Sequence, residues 1–189
     1  MKILGLKKDE IRLELYHAEW KQEFLRIKKN LTDFTLIVGN RIEHIGSTAI
    51  EGLAAKPILD IVVGVDDIEN VEKDIYWGLK QVGFLRLRVE RPNEIVFAKF
   101  TDETYEEKTH FIHLVEYNSD LWNNLIFFRD YLNSDRNARQ EYEKVKKRFL
   151  EEKNGGINEY TDYKGNFVSA IYEKRQEGKR LKGNVGEGF

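Results

Sequence analysis

The sequence predicts an α+β fold in which a mixed β-sheet is covered by helices and followed by a helical C-terminal part. Three observations carry that expectation. The run Ile58 to Val65, ILDIVVGV, is almost continuously apolar and β-branched, as a central strand covered on both faces must be. From Phe84 to Tyr117, apolar stretches are separated by Pro92-Asn93 and by the charged segment 102–108, the pattern of strands added side by side. Five further segments repeat apolar residues at helical spacing, and the last three follow one another with no strand between them.

Ile11 to Tyr16 reads as a short edge strand or an extended lead-in, and His17 to Leu31 as a helix. There Trp20, Phe24, Ile27 and Leu31 form one apolar stripe on a charged cylinder that covers the sheet. Ile42 to Ile45 is a short strand before Gly46-Ser47-Thr48, where glycine permits a tight turn and the hydroxyls suit a helix N-cap. After the central strand, Asp66 or Asp67 caps a helix carrying Ile68, Val71, Ile75, Leu79 and Val82, which ends at Gly83. Phe84 to Glu90 and Ile95 to Phe100 make a hairpin, and His110 to Tyr117 a further strand. Ser119 caps a helix with Leu121, Leu125, Phe128 and Leu132 on its buried side. A helix from Ser134 carries Ala138, Tyr142, Val145 and Phe149, and one from Asn158 to Arg175 carries Tyr160, Tyr163, Phe167 and Ile171. Residues 1–177 are read as one domain and 178–189, poor in apolar residues, as a flexible tail.

Composition narrows the function classes. Lys+Arg 31 against Asp+Glu 33 gives a formal net charge of -2, so no overall electrostatic footprint for nucleic acid or a membrane surface is visible. The absence of cysteine removes thiolate chemistry and Cys-ligated metals, and it suits a reducing compartment. No apolar run approaches the roughly 18 residues of a membrane span. The expected protein is soluble and cytoplasmic, with a small-molecule partner.

The chemistry concentrates in Arg41 to Val65, RIEHIGSTAIEGLAAKPILDIVVGV. Asp60 is a carboxylate inside an apolar strand, which is costly unless a cation, a metal or several donors pair with it. A strand feeding a turn at Gly46, Ser47 and Thr48 offers backbone N–H groups, hydroxyl donors and the positive end of a helix to a phosphate. Lys56 adds a cation a few residues on. On the strand His110 to Tyr117, alternation puts His113 on one face with Phe111 and Val115, and His110 and Glu116 on the other with Ile112 and Leu114. Arg129 can clamp a phosphate, or simply pair with Asp130 or another carboxylate.

The string His44-Ile-Gly-Ser-Thr-Ala49, then Gly52-Leu-Ala-Ala-Lys-Pro57 and Asp60, resembles the GrpB-like family of the nucleotidyltransferase superfamily. Phe128-Arg-Asp-Tyr-Leu132 and Tyr160-x-x-x-Lys164 are similar to the family's later segments. The resemblance implies a nucleotidyltransferase-like fold and transfer of a nucleotidyl group from a nucleoside triphosphate with Mg2+. In that reading Gly46, Ser47 and Thr48 hold the triphosphate, and Lys56, Arg129 or Lys164 offsets its charge. Asp60 binds the metal and, with Ser47, forms the catalytic centre, while His44, His113 and Glu116 are pocket candidates. One departure is visible: active members of the superfamily carry a second acid two residues after the first, and this chain has Val62 there. A further carboxylate would have to come from Glu94, Glu116 or Asp66. Two alternatives stay open: a non-catalytic module of the same fold that binds a nucleotide or other phosphorylated metabolite, and a metal hydrolase using His44, His113 and Asp60.

Overall fold

The structure, a computed structural model, describes residues 4–8, 10–152 and 157–185. Six strands form one sheet: β1 (Leu6–Lys7), β2 (Ile42–Ile45), β3 (Leu59–Val65), β4 (Phe84–Arg86), β5 (Glu94–Phe100) and β6 (Glu107–Glu116). The spatial order is β2-β3-β6-β5-β4, with β1 pairing antiparallel to the start of β6. Only β3 and β6 run parallel. β3 therefore has a strand on each side, as its apolar run demands.

Helices α1 (Glu19–Thr35) and α2 (Lys73–Gln81) cover one face of the sheet. Trp20, Phe24, Ile27 and Leu31 of α1 meet Leu59, Ile61 and Val63 of β3 and Ile112 and Leu114 of β6 in the main core. Helix α3 (Asp120–Ser134) lies on the opposite face, where Trp122 joins Ile45, Val62 and Val115. Helices α4 (Arg136–Glu152) and α5 (Ile157–Val185) build a third cluster with Ile50, Leu53, Phe128, Tyr142 and Ile171. The turn after β2 is thus clamped between the sheet and the C-terminal helices.

Several boundaries differ from the sequence expectation for physical reasons. Ser119 does cap α3, its hydroxyl accepting from the Trp122 amide. Asp67, in contrast, accepts from the amides of Glu69 and Asn70 and so closes a local turn, which delays α2 to Lys73. The turn after Gly46 is a three-residue 3-10 segment, Ser47–Ala49, rather than the start of an α-helix. Beyond it the chain extends again, and Ala55 pairs with Glu14. The expected helix dipole at the hydroxyl turn is therefore missing. Helix α5 continues past Glu177 to Val185, into the stretch read as a tail, whereas residues 186–189 lie outside the described residues. No helix among the described residues is long and apolar enough to cross a membrane.

One helix contact depends on a glycine. A methyl group at Gly78 of α2 would stand 2.3 Å from the Phe34 carbonyl oxygen at the end of α1. Backbone cannot move aside as a side chain can, so Gly78→Ala should cost about 2 kcal/mol. Urea denaturation measures this directly, and an unchanged midpoint would show that α1 and α2 do not approach so closely.

Candidate functional site

Asp60 enters the site from β3, on the α3 face of the sheet with Val62, because the α1 face takes Leu59, Ile61 and Val63. Its neighbour across the parallel pairing is Phe111, and the next residue on that face of β6 is His113. His113 Nε2 lies 3.5 Å from Asp60 Oδ1, while Nδ1 hydrogen-bonds Glu94 Oε1 on β5. A carboxylate, an imidazole and a carboxylate therefore run across three adjacent strands. Burial alone would lower the His113 pKa, but the two carboxylates outweigh it and hold the ring cationic, up to about 9. Burial also pushes Asp60 upward, yet His113, Lys56 and Lys164 more than compensate and keep it ionised. Glu94 is held ionised against burial by His113 and Arg91.

Gly46 sits directly against this carboxylate. Its φ of 69° and ψ of -170° belong to a region open essentially to glycine, and an added methyl would stand 2.4 Å from Asp60 Oδ2. Ser47 follows, its hydroxyl donating to the Tyr142 oxygen of α4. Two cations gather at one aromatic ring. Lys56 Nζ is 4.7 Å and Lys164 Nζ 4.2 Å from the centre of Tyr160, and neither makes an ion pair among the described residues. Burial lowers the Lys56 pKa against the pull of Asp60. Lys164 falls to about 8 through burial and repulsion from Lys56. Two ammonium groups gathered on one tyrosine repel each other, Asp60 offsets part of that repulsion by its charge, and a further anion between them would relieve more of it.

Lys146 of α4 was not singled out from sequence. It is 0% exposed, donates to the Ala54 carbonyl, and stands 4.8 Å from the Tyr142 ring. Burial and nearby Lys164 bring it down to about 7. The signal was present: Lys146 lies four residues after Tyr142, on the buried stripe of a helix otherwise read as a solvated charge run.

The remaining candidates stand elsewhere. His44 belongs to the α1 face, stacked on Phe24 at 5.0 Å, with Nε2 2.9 Å from Thr48 Oγ1. The Thr48 hydroxyl is engaged there and toward the Ile58 carbonyl. Arg129 bonds Asp130 at 2.7 Å and Glu43 at 2.6 Å, and it also donates to the His44 carbonyl. Glu116 is exposed on the far parity of β6, and Asp66 pairs with Arg41. Of the three carboxylates considered as a second acid, Glu94 alone reaches the Asp60 site. The residues gathered in sequence thus separate into two groups. Gly46, Ser47, Lys56, Asp60, His113 and Lys164 surround the carboxylate, whereas His44, Thr48 and Arg129 line a cavity of about 790 Å³ between α1, β2 and α3.

The metal implied by the resemblance can be tested against these donors. No group of three His, Cys, Asp or Glu side chains suited to a metal is found among the described residues, so a His44, His113 and Asp60 centre does not form. A two-metal site does not fit either, because Val62 is apolar and buried and Glu94 is committed to His113. One Mg2+ does fit: Mg2+ often uses one or two carboxylates plus substrate phosphates, and Asp60 Oδ2 faces the Gly46 turn.

Fold and site together define an α+β protein that collects cations and a glycine-serine turn beside one acidic strand residue. The chain belongs to the GrpB family, whose model, described as GrpB protein, matches residues 10–174. It is 42% identical over 173 residues to the Glutamate-rich protein GrpB of Alkalihalophilus pseudofirmus, covering 89% of this chain and 98% of that relative. The crystal structure of conserved protein GrpB from Enterococcus faecalis superimposes with a TM-score of 0.72 at 24% identity, over 89% of this chain and 99% of that one. The family membership and mixed architecture expected from sequence both hold. A cytoplasmic RNA terminal U-transferase matches more distantly, with a TM-score of 0.46 and 19% identity over 71% of this chain and 40% of that one.

Proposed function

We propose that the protein binds the phosphate groups of a nucleoside triphosphate, with Lys56 and Lys164 as counter-charges and the Gly46-Ser47 turn as the cradle. The observation that carries this reading is the lysine pair on Tyr160, two cations at 4.7 and 4.2 Å from one ring with no ion pair among the described residues, both acting on Asp60. Asp60 would be the protein ligand of one Mg2+ brought in with the phosphates, and that ion would neutralise phosphate charge. His113 and Glu94 hold the Asp60 carboxylate in place. Nucleotidyl transfer to an acceptor is the second reading, favoured by Ser47 and Asp60 meeting the same turn. Positioning and charge compensation by the lysines would then supply most of its catalysis.

Calorimetric titration of the protein with ATP, GTP, CTP and UTP, with and without magnesium, tests the binding reading. Lys164→Ala should weaken binding by about tenfold or more, the loss of one charge-assisted contact. Asp60→Asn should act in opposite directions. Removing a negative charge beside the phosphates tightens binding without metal, and removing the metal ligand abolishes the gain from magnesium. A folded protein that binds none of the four triphosphates would end this proposal, and equal affinity in Lys164→Ala would remove the lysine pair from it.

A further inference from the structure

The cavity between α1, β2 and α3 shares no lining residue with the Asp60 group. Ser47, Lys56, Asp60, His113 and Lys164 are all absent from its walls, although Thr48, the neighbour of Ser47, forms part of them. Its volume of about 790 Å³ is that of a pocket for a small organic molecule.

Its walls carry three cationic side chains, Lys21, Arg129 and Arg139, against two carboxylates, Glu43 and Glu51. Arg129 is held by Glu43, Asp130 and the His44 carbonyl through Nη1 and Nε, which leaves Nη2 unbonded among the described residues. Arg139 is held by the carbonyls of Leu132 and Asn133 through Nη1 alone, leaving Nε and Nη2. Lys21 carries an exposed ammonium with no ion pair among the described residues. On the acidic side, Glu43 is taken by Arg129 and Lys28, so Glu51 is the one lining carboxylate without such a partner. Donors therefore exceed acceptors, and both guanidinium groups are fixed before any ligand arrives, which lowers the entropy cost of binding. Tyr16 and Phe24 add aromatic surface for a ring or chain.

We propose that this cavity is a second binding site, for a small organic anion whose carboxylate or phosphate end meets Arg129, Arg139 and Lys21 and whose apolar body lies along Phe24 and Tyr16. The site is independent of the triphosphate reading, and the Ser47-Thr48 dipeptide is the wall between the two.

The test is amide chemical-shift mapping of the full chain titrated with benzoate and, separately, with phenyl phosphate. Saturable shifts in the amides around Gly52, Arg129, Asn133 and Arg139 are expected with at least one probe. A response to phenyl phosphate alone assigns the site to a phosphorylated ligand, and a response to benzoate alone assigns it to a carboxylic acid. The double variant Lys21→Gln with Arg139→Gln should weaken that binding by about tenfold or more. Lys21→Gln by itself, which removes no ion pair or side-chain hydrogen bond among the described residues, should weaken it by a few fold and covers the case of an unstable double variant. Lys164→Ala should leave it unchanged. The proposal is overturned if neither probe shifts these amides well into the millimolar range, if the Lys21 and Arg139 variants bind as tightly as the parent, or if Lys164→Ala removes the response.

Discussion

Gly46→Ala is expected to cost the fold about 2–3 kcal/mol and to eliminate triphosphate binding in whatever protein remains folded. Two independent effects coincide at this residue. The backbone is held at φ 69° and ψ -170°, which an alanine adopts only under strain. The added methyl would also stand 2.4 Å from Asp60 Oδ2 and 3.0 Å from Asp60 Cβ. A long flexible side chain could swing away from such a contact. Asp60 cannot, since it is short, springs from a central strand and is held by His113. The variant should therefore melt earlier and, even well below its melting point, show no heat on titration with triphosphate. A melting temperature and a binding curve matching the parent would mean that Gly46 does not lie against the carboxylate.

The second large effect concerns acid stability and comes from His44. This imidazole is buried between Phe24 and Thr48, and burial is the main cause that drives its pKa from an ordinary 6.5 to about 4; the Asp60 charge opposes the shift without cancelling it. The folded protein thus keeps His44 neutral, while the unfolded chain protonates it near pH 6.5. A depressed folded-state pKa means that stability is present above the unfolded value and is lost as pH falls through the folded one. The window runs from 6.5 down to about 4, and the drop across it amounts to ~3 kcal/mol. His44→Gln replaces the ring by a neutral group that does not titrate. It should be less stable than the parent at pH 7, having lost the stack on Phe24, and should close that gap as the pH approaches 4. Parallel stability profiles for the two proteins would show that His44 is not the titrating group.

The sheet, its central strand and the covering helices were readable because each rests on a local pattern. The apolar run of β3 and the stripe Trp20, Phe24, Ile27 and Leu31 carry the information within a few residues of themselves. Parity along β6 likewise separated His113 from Glu116 before any pairing was known. Other features depended on distant partners. Arg129 meets Glu43, which precedes it by 86 residues, and no local signal distinguishes that role from phosphate clamping. His44 and Asp60 look adjacent in a motif, but their side chains leave opposite faces of the sheet, and this depends on how β2 registers with β3. The hydroxyl turn resembled a helix start because a three-residue 3-10 segment can use the same residue types. Lys146 was hidden by its own charge, since a lysine in a mixed helix is ordinarily solvated.

The division of the motif into two groups alters what its hydroxyls can be asked to do. Ser47 is bonded to the Tyr142 hydroxyl, which also feels the Asp60 charge, whereas Thr48 is tied to His44 and the wall of the other cavity. Substitutions at these neighbouring positions should therefore not have equivalent effects.

The chain of polar side chains across β3, β6 and β5 has a consequence for assembly of the sheet itself. His113 stands opposite Val62 on one side and Val96 on the other, and it reaches diagonally to Asp60 and Glu94. A slip of one residue in β6 would rotate its imidazolium into the layer of Ile61, Val63 and Phe97, leaving Asp60 without its imidazolium partner and Glu94 with Arg91 alone. Apolar strands of Val, Ile and Leu tolerate such shifts with little change in burial; this trio does not. The trio thereby fixes the pairing of the only parallel strands in the described sheet.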